Sequence, residues 1–187
     1  MTDRATIRVH PERAVPNDVD AILDAGHVAH VGFVDDGQPV VIPMTYHVEP
    51  EDRSTLYLHG GHHGRLMQHL ATGAPICVTV TLVDGLVYSK TALYHSVNYR
   101  TVVCFGRSVA PTDMTTQARV LERLIARYFP GRTPGRDYAP SPPAHLEATA
   151  FVAIHIEEAS AKARRGGPKG PGDDDPSVPG TAGVVTV

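Results

Sequence analysis

The 187-residue chain is 42% hydrophobic and 20% charged, with 17 Lys+Arg against 20 Asp+Glu for a formal charge of −3. That length suits one domain with a real core and is short for two. The near-even charge balance argues against a nucleic-acid or acidic-membrane binder, because such proteins carry clustered basic surface.

The N-terminal stretch MTDRATIRVHPERAVP is charged, lacks the apolar run of a signal peptide, and reads as an extended arm over residues 1–15. No window approaches 18 apolar residues, so no membrane span is expected. A soluble, cytoplasmic protein is the expectation. PNDVDAILDAG predicts a short helix, with Asn17 as cap, Ile22 and Leu23 facing inward and Gly26 as the stop. HVAHVGFV and PVVIPMTYHVEP are β runs joined through Asp-Asp-Gly, which predicts a hairpin. Pro43 interrupts the second run. Proline cannot donate to a ladder, so it marks an edge or a bulge where a ligand can reach the backbone.

STLYLH is a third strand, and Arg65 to Thr72 a short helix stopped by Gly73. APICVTVTLVDG is a fourth strand, turned at Asp84-Gly85 into LVYSK. NYRTVVCFGRSVA is a long strand in which Gly106 predicts a bulge. Residues 112–129 place Val120, Leu121, Leu124, Ile125 and Tyr128 at helical spacing, with Thr112 or Asp113 as cap and Pro130-Gly131 as the end. A loop rich in proline and glycine runs to about 146, and ATAFVAIHIEEAS is the last strand. From 160 onward the composition alone predicts a flexible tail. About six strands, few helices and no βαβ alternation predict a mainly β, antiparallel fold, a small closed or partly closed barrel. The expected organisation is a barrel domain over 1–160 and a Gly/Pro/Asp-rich tail over 161–187.

Cys77 and Cys104 lie in separate apolar β runs and read as reduced thiols acting as small hydrophobes.

Two stretches carry chemistry. In LYLHGGHHGRL a strand passes through glycines into a helix, and such a junction offers backbone amides to an anion. Arg65 adds a planar fork suited to phosphate. A tight turn with a solvated arginine explains the same residues, and the pattern is neither a Walker loop nor a dinucleotide-binding loop. The histidines 59, 62, 63 and 69 show no H-E-x-x-H spacing, and no metal site is assigned to them. A single one of them could instead serve as an axial ligand to haem in an apolar pocket. In the second stretch, Ser89 to Thr101, Lys90, His95, Asn98 and Arg100 concentrate hydrogen-bond donors between apolar strands. That set suits an electron-rich ligand such as a phosphate or a flavin ring.

LYLHGGHHGRL, VTVTLVDGLVYSKTALYHSVNYRTVVCFGR and EEASAKARRGGPKGPGDDD, all in order from about residue 10 onward, resemble the pyridoxamine 5′-phosphate oxidase-like flavoproteins. The branch is the one with the nitroimidazole-reductase-like flavin-nucleotide-binding proteins. The resemblance implies an FMN-binding split β-barrel working as a homodimer, with two FMN sites each built from both chains. It implies that Ile42, Pro43, Met44 and Thr45 face the isoalloxazine ring. His59 and Gly60 would end the phosphate-facing strand, and Gly64 and Arg65 would bind the phosphate. Lys90, Arg100 and Thr101 would add FMN contacts, and His95 is the candidate catalytic group on the substrate side.

Two positions depart from the family pattern. Leu66 stands where many relatives have a second phosphate cation, and Thr181 stands where the family's C-terminal segment has a tryptophan. The match at Ser160, Lys162, Arg164, Asp173–Asp175 and Ala182–Val185 nonetheless implies a tail over 161–187 that folds back on the barrel. Residues that would bind pyridoxal phosphate are not matched, so vitamin B6 synthesis is not implied. The resulting expectation is an FMN-dependent oxidoreductase passing electrons or hydride to a small acceptor such as a nitro-aromatic or quinone, with NAD(P)H as a candidate donor. The alternatives are a haem-binding or haem-degrading protein on the same barrel, and a non-catalytic flavin-binding module.

Overall fold

A computed structural model describes residues 3–187. It contains eight strands: β1 (Ala29–Asp35), β2 (Gln38–Met44), β3 (His47–Val48), β4 (Thr55–Gly61), β5 (Pro75–Tyr88), β6 (Ser96–Pro111), β7 (Thr149–Arg164) and β8 (Gly183–Thr186). The helices are α1 (Val19–Ala25), α2 (Arg65–Leu70), α3 (Met114–Tyr128) and α4 (Pro143–Glu147). The sheet runs in the order β2-β1-β5-β6-β7-β4-β3, with β8 paired to β5. The fold is mainly β and antiparallel, as the residue patterns predict.

The chain forms two compact units. One holds the residues through Ala5, His27–Thr79 and Val103–Ala159; the other holds Thr6–Gly26, Val80–Val102 and Ser160–Val187. The first has its core between β4, β7 and α3. Tyr57, Phe151 and Ala153 on the strands meet Val120 and Leu124 on the helix, with Leu121 and Tyr128 against them. Those helical positions recur at three- and four-residue spacing, so one stripe of α3 is apolar and must be covered. Each such side chain contributes about 1.5–3 kcal/mol on burial. The register Leu56↔Ile154 and Leu58↔Val152 places the large apolar residues of β4 and β7 opposite one another. Asp113 caps α3, its carboxylate accepting from the Thr116 N–H at 2.7 Å. In the second unit Ile22 and Leu23 of α1 are buried, as are Val80, Val87, Val102, Ala161 and Ala163.

The β1–β2 hairpin forms where Asp-Asp-Gly predicts it. Asp36 and Gly37 both take positive φ, 48° and 77°, the signature of the turn whose twist matches paired strands. β2 lies at one end of the strand order, so Pro43, opposite His30, sits on an edge.

Several elements differ from the sequence reading. β5 runs straight through Asp84-Gly85 without turning. Gly85 is instead the point where β8 crosses close, for a Cβ there would lie 2.9 Å from the Val185 carbonyl oxygen. Gly106 likewise answers to close approach rather than to a turn: a Cβ would overlap the His155 carbonyl oxygen of β7. The run PVVIPMTYHVEP splits at Met44, and its second half becomes β3, paired with β4. α1 begins at Val19 after a 3-10 turn over Pro16–Asp18, so Asp18 rather than Asn17 precedes it. Within the expected arm, residues 1 and 2 lie outside the described residues. Pro11–Arg13 form a 3-10 turn, and the Val15 N–H bonds the Ala161 carbonyl at 2.9 Å. The segment after 160 is not a bare tail, for residues through Arg164 continue β7 and Gly183–Thr186 form β8. Among the described residues no helix is long and apolar enough to cross a membrane.

Candidate functional site

The glycine pair at the opening of the anion-like corner belongs to the strand. Gly60 and Gly61 pair with Ala150 and Thr149 as the last rungs of β4. The expected strand end at His59 and Gly60 therefore moves one residue on, to Gly61. The turn proper is His62–Gly64, closed by the Gly64 N–H on the Gly61 carbonyl at 2.8 Å. A Cβ on Gly64 would stand 3.1 Å from that carbonyl oxygen, so the close return needs glycine.

Gly64 also precedes α2 with no side chain capping the helix. The helix is only six residues long, so its dipole adds little, and an anion at this corner would have to be met by amides and by Arg65. That side chain is 61% exposed and its guanidinium meets one carboxylate, Asp35, at 3.3 Å. A cation held this loosely is available to a ligand.

Beside the corner, Gly60 packs against side chains from two elements. A Cβ there would fall 3.4 Å from the Met67 side chain and 3.8 Å from that of Met44. Met44, Gly60 and Met67 are thus neighbours, which brings the end of β2 to the end of β4. Ile42, Pro43 and Thr45 share that edge, with Pro43 and Thr45 exposed. His59 is half-buried and stacks on Phe151 (centroids 5.4 Å apart, planes at 18°). Burial holds its imidazole below the usual histidine range, and Nδ1 has no hydrogen-bond partner.

Lys90, His95, Arg100 and Thr101 belong to the second unit, where each has at least one internal hydrogen-bond partner. Arg100 Nε lies 2.9 Å from Asp84 Oδ2 and its Nη2 lies 2.6 Å from Oδ1. That pairing raises the guanidinium pKa and lowers the carboxyl. Lys90 Nζ donates to the Asp175 carbonyl at 2.7 Å, while its backbone N–H donates to Asp173 Oδ1 at 2.7 Å. Ser89 Oγ donates to the same carboxylate oxygen at 2.8 Å. The Thr101 hydroxyl reaches the Val80 carbonyl at 3.0 Å and Thr81 Oγ1 at 2.7 Å. His95 is exposed, with Nδ1 3.1 Å from the Ala92 carbonyl. A ring nitrogen facing a carbonyl must carry the proton, so Nε2 is left as the acceptor.

Sequence reading missed the acids. Asp84 and Arg100 sit sixteen residues apart on strands adjacent in the sheet, a juxtaposition legible only once β5 is known not to turn. Asp173 and Asp175 lie in a stretch whose composition signals flexibility alone. Leu66, noted for not being a cation, is 3% exposed and packs into the core; a lysine there would bury its charge.

A family model described as pyridoxamine 5′-phosphate oxidase matches residues 16–163. No curated protein matches the chain. Among solved structures, the flavocytochrome Anf3 from Azotobacter vinelandii is 34% identical, with a TM-score of 0.86 over 100% of this chain and 85% of that one. An FAD and haem binding protein from Mycobacterium smegmatis is 30% identical, with a TM-score of 0.81 over 94% of this chain and 84% of that one. A Bacteroides thetaiotaomicron protein assigned to 5-nitroimidazole antibiotic resistance is similar in fold, at 23% identity and a TM-score of 0.64 over 80% and 86%.

Proposed function

The chain belongs to the pyridoxamine 5′-phosphate oxidase family, and from that premise we propose that it holds a flavin phosphate at the β4–α2 corner and serves as a flavin-dependent oxidoreductase. The observation that carries the reading is the corner itself, where Gly64 keeps the backbone close and, among the described residues, Arg65 meets one exposed carboxylate. The flavin proposed is FMN, with FAD the alternative suggested by the M. smegmatis relative.

When bound, the flavin supplies reversible acceptance of two electrons. The protein's own residues bind and orient it. Arg65 neutralises the phosphate, displacing or sharing Asp35. The Gly60 face and the end of β2, from Ile42 to Thr45 just beyond it, receive the ring, and Met44 and Met67 give it soft apolar contact. Lys90, Arg100 and Thr101 would have to release internal partners to reach a cofactor, so the phosphate load falls on Arg65. His95 Nε2, a free acceptor on an exposed turn, is the proposed substrate-side base for a small acceptor molecule, with NAD(P)H as the proposed donor. Two copies of the chain are proposed to complete the sites; light scattering that finds a flavin-loaded monomer at low micromolar concentration would remove that part.

Two solved relatives, 34% and 30% identical, are described one as a flavocytochrome and one as binding FAD and haem. Haem in addition to the flavin, rather than instead of it, is therefore the second reading.

Fluorescence titration with FMN and with FAD tests the primary one. Wild type should bind one of them tightly, and Arg65→Ala should weaken binding by about 1–3 kcal/mol, the range for a hydrogen bond to a charged group. Unchanged affinity in the variant refutes the role of Arg65. Wild type that ignores both flavins refutes the reading.

A further inference from the structure

The second unit holds a cavity of about 320 Å³, at the small end of the roughly 300–1,000 Å³ span of small-molecule sites. Its lining comes from two segments. Arg164, Arg165 and Lys169 belong to the end of β7 and the loop after it, and Glu12, Arg13 and Val15 to the N-terminal arm. Four cations and one acid therefore border a single space in a chain whose formal charge is −3. Like charges gathered in a concave wall reinforce one another's field, and such a wall draws in anions.

Both segments are held in place. The Val15 N–H bonds the Ala161 carbonyl at 2.9 Å, Ala14 bridges Lys162, and Lys162 Nζ donates to the Val9 carbonyl at 2.6 Å. β7 ends at Arg164. Arg165 is thereby released from strand alternation, and two consecutive side chains border the same cavity. The chain leaves the strand through Gly166 at φ 103°, a conformation that favours glycine. Its carbonyl and that of Gly167 then lie 3.5 and 3.4 Å from the Arg164 guanidinium, whose Nη1 also donates to Oδ1 of the buried Asn98. Asn98 Nδ2 donates in turn to the Gly166 carbonyl at 3.0 Å.

What these cations lack is acids. Arg100, Arg119 and Arg123 each face a carboxylate at close range. Among the described residues, Arg164 meets neutral oxygens only, with no partner on Nε, and the exposed Lys169 meets no acid. Arg165 pairs with Asp18 at 2.9 Å and Arg13 Nε stands 3.8 Å from Glu12, exposed pairs of the kind that hold weakly. The Glu12 carboxylate is engaged by its own backbone N–H and then by the His10 ring at 3.0 Å, which keep its pKa below the usual range. Two guanidinium forks and an ammonium are the donor set of a phosphate site. Val15 and Ala163 add a small apolar face.

We propose that this cavity binds a small phosphate ester, distinct from the flavin whose phosphate is assigned to the β4–α2 corner. Arg164 and Arg165 present forks to the phosphate oxygens, Lys169 adds a point charge, and the Val15–Ala163 face takes the carbon atoms of the ligand. The proposal does not depend on the flavin reading.

The test is isothermal titration calorimetry of the full-length chain at low salt, flavin-loaded and flavin-free alike. Adenosine 5′-monophosphate is the probe and adenosine its uncharged control. Wild type should bind the monophosphate saturably in both forms and ignore adenosine. Arg164→Gln, whose amide can keep the bond to Asn98, should weaken binding by about 10- to 100-fold, and Lys169→Gln by about three- to tenfold. Glu12→Gln removes the one acid in the lining and should tighten binding by about two- to fivefold, a gain that misfolding cannot imitate. Wild type that binds no monophosphate overturns the proposal, as do Arg164→Gln and Lys169→Gln variants that bind as tightly as wild type. Binding to the flavin-free chain that vanishes on flavin loading also overturns it, because the cavity would then belong to the flavin. None of these results alters the outcome of the flavin titration, so the two readings fail separately.

Discussion

The β4–α2 corner and the Lys90–Arg100 stretch contain the same kinds of residue and put them to opposite use. At the corner, Arg65 reaches one exposed carboxylate, and the turn is closed by the Gly64 N–H on the Gly61 carbonyl with the His62 ring bonded to the Glu147 carbonyl. Along the stretch, Lys90, Arg100 and Thr101 are all engaged by Asp175, Asp84 and Val80. A donor free to meet a ligand and a donor spent on its own fold look alike in a sequence. What separates them is whether a partner arrives from elsewhere in the chain, and here the Asp84 carboxylate and the Asp175 backbone carbonyl come from sixteen and eighty-five residues away.

The difference implies that the first unit is stabilised mainly by packing and close backbone approach, and that its corner can lose charge without harm. The severest test is Gly106→Ala. Because a Cβ would overlap the His155 carbonyl oxygen, β6 and β7 must separate locally, at a cost of about 2–3 kcal/mol in urea unfolding; a loss below about 0.5 kcal/mol would show that the two strands have slack.

The next effect depends on pH. Burial, and then the positive field of Arg123, Arg127 and Arg119, lowers the His47 pKa from 6.5 to about 4. Between those values the unfolded chain takes up a proton that the folded chain refuses. Stability is therefore full above pH 6.5 and falls as pH drops toward 4, by on the order of 2 kcal/mol. His47→Leu should flatten that slope in melts taken across the window, and an unchanged slope would assign the loss to other groups.

The smallest effects compare the two regions directly. Asp84→Asn, which strands Arg100 at a partly exposed pair, should cost under about 1 kcal/mol. Arg65→Ala should leave stability within about 0.5 kcal/mol of wild type. If Arg65→Ala proved the more damaging of the two in matched urea melts, the contrast between open and spent donors would collapse.

Much of the first unit was legible in the sequence because its signals are local. Asp36-Gly37 announces the hairpin turn, Asp113 the helix cap, and the spacing from Val120 to Tyr128 the buried stripe. The edge position of Pro43 follows from its missing N–H. Where the reading failed, the cause was long-range. Asp84-Gly85 has the composition of a turn, yet β8 arrives from a hundred residues away to pair there. Gly106 suggests a bulge locally, whereas its reason is the backbone of β7. The tail suggests disorder, yet Asp173 organises Ser89 and Lys90.

β2 carries a further consequence. Pro39 and Pro43, opposite Val34 and His30, break the row of amides along the outermost strand at two points. Such a margin is a poor template for cross-β growth, so concentrated stocks should resist fibre seeding from that side even when stripped of cofactor. A second copy that covers this strand must do so with side chains, not by adding another rung.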